Sequence, residues 1–357
     1  MQISRAGNVG PVLVKRLFRR FGSVEKIAGA SNAALMSVEG VGEKTAAALR
    51  KAMQDGDVDR EIELCEANNI KITTLEGDDY PALLKETPYA PAILYYKGNI
   101  PRERLAVAVV GARRCSLYGE DQAGIFGAAL GQCGATVVSG LARGVDSAAH
   151  RGALISRGIT VAVLGTGLLH IYPKENRALF EEIEQTGACI SQFSPDTEPR
   201  AENFVPRNKI IAGMSLGTLV VEAGPTSGAM STAGFSKDTG RPVFALPGRV
   251  DSLLSRGPHE LIMDGAHLVR NAADILNVLD SSLNHTTQTN DELPLFPSSP
   301  EETAILASLK LREKHTDEII TETGLPAGAV NAAIFQLQLK KSIKKLPGNR
   351  FALNKRL

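Results

Sequence analysis

At 357 residues the chain is too long for one small core and predicts two or three domains. Its 43% hydrophobic and 22% charged residues, with a formal net charge of +1, argue against disorder and against a uniformly basic protein, so any nucleic-acid role depends on where the charges sit. Four cysteines without C-x-x-C spacing argue against a disulfide framework or a structural zinc, and the lack of a long apolar run or signal core predicts a cytoplasmic protein with no membrane contact.

Residues 1–68 form the first predicted domain, all helical. Within it VEGVGEKTAAALRKAM (38–53) has the form of a helix-hairpin-helix of SAM-like type, with Gly40-Val41-Gly42 as the hairpin. Glycine turns at helix N-termini can offer amides to a phosphate. A phosphate-binding P-loop is rejected, because GVGEKT lacks the adjacent Gly-Lys pair and no strand precedes it. Whether this domain meets DNA or protein stays open, and Lys15, Arg16, Arg19 and Arg20 read as a solvated helix face.

A helix over 57–69 leads to the extended stretch IKITTL (70–75). Three prolines within DDYPALLKETPYAPAILYYKGN (78–99) predict an extended lead-in, with AILYY as an edge strand. Tyr95 and Tyr96 are assigned to packing rather than to base stacking. From Leu105 to Pro247, short runs rich in Val, Ile and Ala repeatedly give way to glycine-bearing turns. Such runs predict strands buried on both faces with crossover helices between them, hence a doubly wound parallel α/β sheet over 69–280. Ligands of such sheets sit beyond the carboxyl ends of the strands.

GPHELIMDGAHLV (257–269) predicts a helix and a short strand, and NAADILNVLD (271–280) a closing helix. Residues 281–298 are polar and proline-bearing, which predicts a linker. Over 299–357, three helical patterns, the turn Gly324-Leu325-Pro326 and a two-stranded wing in SIKKLPGNRFAL predict a winged helix. Lys340, Lys341, Lys344, Lys345, Arg350, Lys355 and Arg356 make its end basic, and a DNA contact and a protein dock both fit.

The first turn of the sheet, Gly111-Ala112-Arg113-Arg114, departs from G-x-G-x-x-G, and no acidic residue ends the second strand at Ser139. A dinucleotide site is therefore not expected. What remains is a phosphate cradle, in which turn amides stand beside the guanidinium of Arg113. The turn from Ser139 and Gly140 to Arg143 and Gly144 adds a hydroxyl, a second arginine and more amides. Asp146 reads as a helix N-cap or as the partner of Arg143, and His150 as a hydrogen-bonded structural residue rather than a metal ligand.

Phe204, Arg207, Asn208 and Lys209 set two cations and an amide beside an aromatic, just before an apolar helix, and Arg200 extends the patch. Charge with a stacking surface is how single strands are held, although a core position for Phe204 fits the same pattern. Ser227, Gly228, Ser231 and Thr232 form a further anion seat at a helix start. Glu222, just before it, reads as a general acid or base or as a residue orienting an arginine. Arg113, Arg143, Arg207 and Lys209 thus reach one rim, which suits an extended polyanion and predicts binding that weakens with salt. With no triad spacing and no metal cluster, neither catalytic residues nor a cofactor are expected.

In order along the chain, YPALLKETPYAPAILYYKG, VVGARRCSLYG, VVSGLARGVDSAAHRGAL, TVAVLGTGLLHIYPKEN, FVPRNKIIAGMS, VVEAGPTSGAMSTA, FALPG and a terminal winged helix resemble the DNA-processing protein A family (DprA, also called Smf). The resemblance covers nearly the whole chain. It departs at Ala112, where the family usually has Ser, and at Lys209, where it usually has Arg; both changes keep the amides and the charge. The resemblance implies an extended Rossmann-like fold that binds single-stranded DNA, forms a homodimer through this domain and loads the recombinase RecA during natural transformation. It places the DNA contacts at Arg113, the 139–144 turn, Arg207 to Lys209 and the 227–232 turn.

Two rivals are weighed against this reading. One is a nucleotide phosphoribohydrolase of the lysine-decarboxylase-like Rossmann group, whose P-G-G-x-G-T-x-x-E order is reversed in EAGPTSGAMSTA. The other makes the winged helix the chief DNA contact, as in a transcription regulator.

Overall fold

The computed structural model describes residues 3, 9–54, 58–102, 105–286, 299–309, 313–339, 342–346 and 349–353. Its contacts divide the chain into two compact units, Met1–Arg270 and Asn271–Leu357.

The first unit opens with a small helical layer. Pro11 starts the helix Pro11–Phe21 at the position where a missing N–H costs nothing, and Gly22 ends it in the left-handed region with φ +83°. Ser23 and Ser31 cap the short helices Val24–Gly29 and Asn32–Met36 by accepting from backbone amides three residues on. With Glu43–Gln54 these helices enclose Leu13, Val14, Leu17, Ile27, Leu35 and Leu49. Lys15 Nζ donates to Thr87 O at 2.8 Å, which fastens this layer to the lead-in of the sheet. The helix Val58–Ala67 buries Glu61, whose carboxylate accepts from Tyr95 Oη and, at 2.8 Å, from Ser194 Oγ.

The sheet has nine strands, introduced here in chain order: β1 (Lys71–Thr74), β2 (Ile93–Gly98), β3 (Ala106–Val110), β4 (Thr136–Ser139), β5 (Thr160–Leu164), β6 (Ala188–Ser191), β7 (Gly217–Val220), β8 (Val243–Ala245) and β9 (His267–Leu268). Their spatial order is β1-β2-β6-β5-β4-β3-β7-β8-β9. The two antiparallel pairings are β1 with β2 and β2 with β6; every other pairing is parallel. The stretch AILYY was expected at an edge, yet β2 is covered on both sides and β1 forms the border. Tyr95 and Tyr96 are buried in packing, as expected.

Strands β3 to β8 are buried along their whole length, because helices cover both faces. Alternate residues serve opposite layers: Val161 and Val163 join Val138, Ile190, Ile210 and Val220, whereas Ala162 and Leu164 join Leu141, Phe180 and Ile183. Strand order reverses between β3 and β7. There the two following turns touch, with Ala112 N donating to Glu222 O at 2.6 Å.

The second unit begins with the helix Ala272–Thr286, which runs six residues into the stretch read as linker; the rest of that stretch, 287–298, lies outside the described residues. Beyond it stand the helices Pro300–Ser308, Thr316–Thr323 and Ala327–Leu339 around Ile305, Ile319, Val330, Leu337 and Phe351. Ser299 and Glu302 form a capping box at the first, and Gly324 turns the chain between the second and third with φ +65°. The wing pairs β11 (Ile343–Leu346) with β12 (Arg350–Leu353), and the short β10 (Lys314–His315) pairs on the far side of β12. This third strand escapes a sequence reading because two residues carry no period. Lys344 and Lys345 are exposed on the wing and Arg350 pairs with Glu313 at 3.0 Å, whereas Lys340, Lys341, Lys355 and Arg356 lie outside the described residues.

Candidate nucleic-acid interface

The carboxyl ends of β3, β4, β5 and β7 carry the turns singled out in the sequence. Gly111 stands where β3 meets the neighbouring helix and turn: a Cβ there would lie 2.6 Å from Val145 Cγ2 and 2.8 Å from Glu222 O. The turn that follows leaves Arg113 exposed. The Arg113 guanidinium lies 4.9 Å from the centroid of the Phe204 ring, which itself packs over Gly165 at the end of β5. Tyr172 stands 6.0 Å from Phe204, centroid to centroid, with the rings tilted by 51°. Arg143 is exposed and ion-pairs with Glu175. Arg113, Phe204, Tyr172 and Arg143 therefore form one ledge, assembled from three loops and the start of a helix.

Arg207 belongs under the ledge rather than on it. It is 4% exposed, and its guanidinium donates to Gly140 O, to Val163 O at 2.8 Å and to Asn208 Oδ1 at 3.1 Å. Burial draws its pKa down to about 10, an effect Asp146 opposes and Arg113 adds to. Asp146, also buried, accepts from Gly140 N at 3.0 Å and Ala142 N at 3.4 Å. Burial raises the Asp146 carboxyl, while Arg207 and these amides hold it back. This corrects two expectations: Arg207 has its donors committed inside the fold, and Asp146 serves Gly140 and Arg207 while Arg143 takes Glu175.

Lys209 also differs from expectation. The helix starts at Phe204, earlier than the sequence reading placed it, so Arg207 and Lys209 are both helical and about 200° apart around its axis. Lys209 Nζ accordingly lies 5.1 Å from the Tyr89 ring and 5.3 Å from Phe235, a half-enclosed aromatic seat away from Phe204. The proline and the charges of FVPRNK hide the helix start from a reading of the sequence.

The remaining candidates divide in the same way. Ser139 is buried and donates to Val109 O at 2.6 Å, and both backbone groups of Gly140 are taken by Asp146 and Arg207, so neither faces a ligand. Gly140 is required here, since a Cβ would collide with Arg207 Nη1 and stand 2.7 Å from Asp146 Oδ2. Gly144 has φ +70°, and a side chain would strike Ala112 O. Asn208 is buried and donates to Gly228 O and Ser231 Oγ, both at 3.1 Å, which clips its helix to the 227–232 turn. In that turn Ser227 caps the helix Gly228–Asp238, Ser231 Oγ donates to Gly228 O and Thr232 is buried. The hydroxyls expected as an anion seat are thus spent on the fold, with Gly228 left exposed.

Two acidic or basic candidates for chemistry are likewise committed. Glu222 accepts from Ser116 N at 2.8 Å and Ser116 Oγ at 2.7 Å, and so holds the start of the helix Leu117–Gln132 rather than an arginine. His150 is buried, and its Nδ1 lies 2.6 Å from Thr160 Oγ1, which donates to Val137 O at 2.8 Å. Thr160 must accept from His150, so Nδ1 carries the proton. Burial, aided by the Arg207 charge, pulls this imidazole down to about 3 and keeps it neutral. The structural hydrogen bond expected for His150 is present. Tyr172, absent from the sequence-based site, stands on the ledge with 39% of its surface exposed.

Three comparisons bear on this arrangement. Residues 71–280 match the family model of DNA recombination-mediator protein A, residues 289–349 that of the DprA winged helix domain, and residues 6–55 that of the SAM-like helix-hairpin-helix tandem. A curated relative, Protein Smf of Synechocystis sp., is 34% identical over 98% of this chain and 96% of its own length. The crystal structure of DNA processing protein A from Streptococcus pneumoniae is 32% identical and covers 77% of this chain and 95% of its own, with a TM-score of 0.67. A second structure, described as revealing the single-stranded DNA binding mode of DNA processing protein A from Helicobacter pylori, is 30% identical over 60% of this chain and 97% of its own, with a TM-score of 0.51. On its matched sheet domain, helical tandem and winged helix, the chain belongs to the DNA recombination-mediator protein A (DprA/Smf) family.

Proposed function

We propose that the protein holds single-stranded DNA along the ledge from Arg113 to Arg143, without breaking a bond, as a DNA-processing factor in natural transformation. The observation that carries this reading is the gathering of two exposed cations, Arg113 and Arg143, with the adjoining rings Phe204 and Tyr172 at the carboxyl ends of the strands. Guanidinium groups engage phosphates of any sequence and rings accept any base, which suits a flexible strand. Membership of the family and the Helicobacter pylori relative's single-strand binding mode support it. A non-catalytic role is supported by Asp146, Glu222 and His150, each of which is tied to a backbone or hydroxyl partner in the fold.

Family resemblance supports a finer reading: a cytoplasmic homodimer that delivers its bound strand to RecA. Sedimentation tests the dimer, and RecA filament formation on strands already coated by single-strand binding protein tests delivery; we expect dimers and faster filament growth. The binding itself is tested by salt titration of affinity for single- and double-stranded oligonucleotides. Single strands should bind more tightly, with affinity falling linearly on a logarithmic salt axis. Equal affinity for both, or release of free base from nucleoside monophosphates, would overturn the reading.

A further inference from the structure

Resting on the single-strand reading, we propose that Tyr172 is a base-stacking residue of the ledge, its ring receiving one nucleobase while Arg113 and Arg143 engage phosphates on either side. Phe204 would be the first choice from sequence, because it sits beside the cations of FVPRNK. The structure gives that ring other work. Its lower side packs over Gly165, and Arg113 and Arg207 approach it at 4.9 Å and 5.6 Å from the centroid. Phe204 is thus a seat for guanidinium groups, and a base would have to displace Arg113 to reach it.

Tyr172 is the neighbouring ring, 6.0 Å away, and 39% of it is open. Arg143 ion-pairs with Glu175, three residues beyond Tyr172 along the same segment, and interacts electrostatically with the phenol. An exposed ring with one exposed arginine seated on its neighbour Phe204 and another paired to its neighbour Glu175 matches the alternation of base and phosphate along a strand. A ring that merely shields Phe204 would instead give loss of stability with no dependence on the bases of the ligand.

The test uses the full chain with two probes of about twelve nucleotides, a run of dT and an abasic strand of equal length, a size within the usual range for one single-strand site. Tyr172→Ala should weaken dT binding about tenfold, the effect of losing one stacked base, and leave abasic binding unchanged within about twofold. Tyr172→Phe should bind dT as wild type does, because the ring and not the hydroxyl is needed. Since the chain contains no tryptophan, Tyr172→Trp makes a unique reporter, whose emission should be quenched by dT and not by the abasic strand. Equal losses on both probes, unchanged dT affinity for Tyr172→Ala, or failure of Tyr172→Phe to restore binding would overturn the proposal. Wild-type protein that binds neither probe would instead overturn the single-strand reading on which it rests.

Discussion

Asp146 and Arg207 meet at opposite sides of one backbone unit: the carboxylate accepts the amide proton of Gly140, and the guanidinium donates to the carbonyl of the same residue. Both side chains are buried, so each charge is tolerable chiefly because the other and the peptide dipole compensate it. This arrangement ties the end of β4 to the helix Phe204–Gly213, and with it the loop of Arg143 to the ring that seats Arg113.

Removing either side chain leaves a buried Gly140 backbone group without its partner and the other side chain without its nearest opposite charge. Arg207→Ala and Asp146→Asn should each cost about 1–3 kcal/mol, read as a lower midpoint in urea unfolding, with the double variant less impaired than the sum. Gly140→Ala should also destabilise, by about 1–3 kcal/mol, because its methyl group enters the space of Arg207 and Asp146.

Arg113→Ala removes an exposed cation without disturbing a buried network. Affinity for oligonucleotides should fall with little dependence on sequence, and the logarithmic salt slope should shrink by about 0.7, the single-strand value for one phosphate. An unchanged slope would take Arg113 out of the interface.

Lys209→Ala provides the contrast. Its ammonium is seated on Tyr89 and Phe235, so oligonucleotide affinity should stay within about twofold of wild type, while stability should drop by about 0.5–2 kcal/mol from the lost cation–π contacts. A fall in affinity comparable to that of Arg113→Ala would return Lys209 to the binding surface.

His150 carries a pH signature. Its folded pKa, about 3, lies below the unfolded value of about 6.5, so the unfolded chain binds the extra proton between these limits. Its stabilising contribution is therefore complete above about pH 6.5 and declines as pH falls toward 3. Comparing unfolding of wild type and His150→Gln across this window should show a shallower decline in the variant, by at most about 1.4 kcal/mol per pH unit. Identical slopes would mean that the imidazole charges freely in the folded protein.

Deleting residues 290–357 separates the ledge from the winged helix. Single-strand binding should persist, checked by fluorescence anisotropy alongside circular dichroism of the remaining chain. Lost binding in a folded truncation would make the winged helix the chief contact.

The sheet, its parallel strands, the helical start and the winged end were legible because each rests on local pattern: apolar runs bounded by glycine turns, prolines at helix starts and a basic wing. Gly111, Gly140 and Gly144 were legible as turns for the same reason, and so was the convergence of their loops, since a doubly wound sheet gathers them at one end. What a charge does once there is a different matter. Arg143, Arg207 and Lys209 look alike in sequence, yet one is exposed, one is buried against Asp146 and one lies between Tyr89 and Phe235. Side-chain direction along a helix and the presence of a long-range partner decide this, and neither partner is near in the chain. Sequence alone thus determined which turns assemble; only tertiary packing decided which of their cations remain free to meet a phosphate, because burial and pairing depend on neighbours brought together by folding.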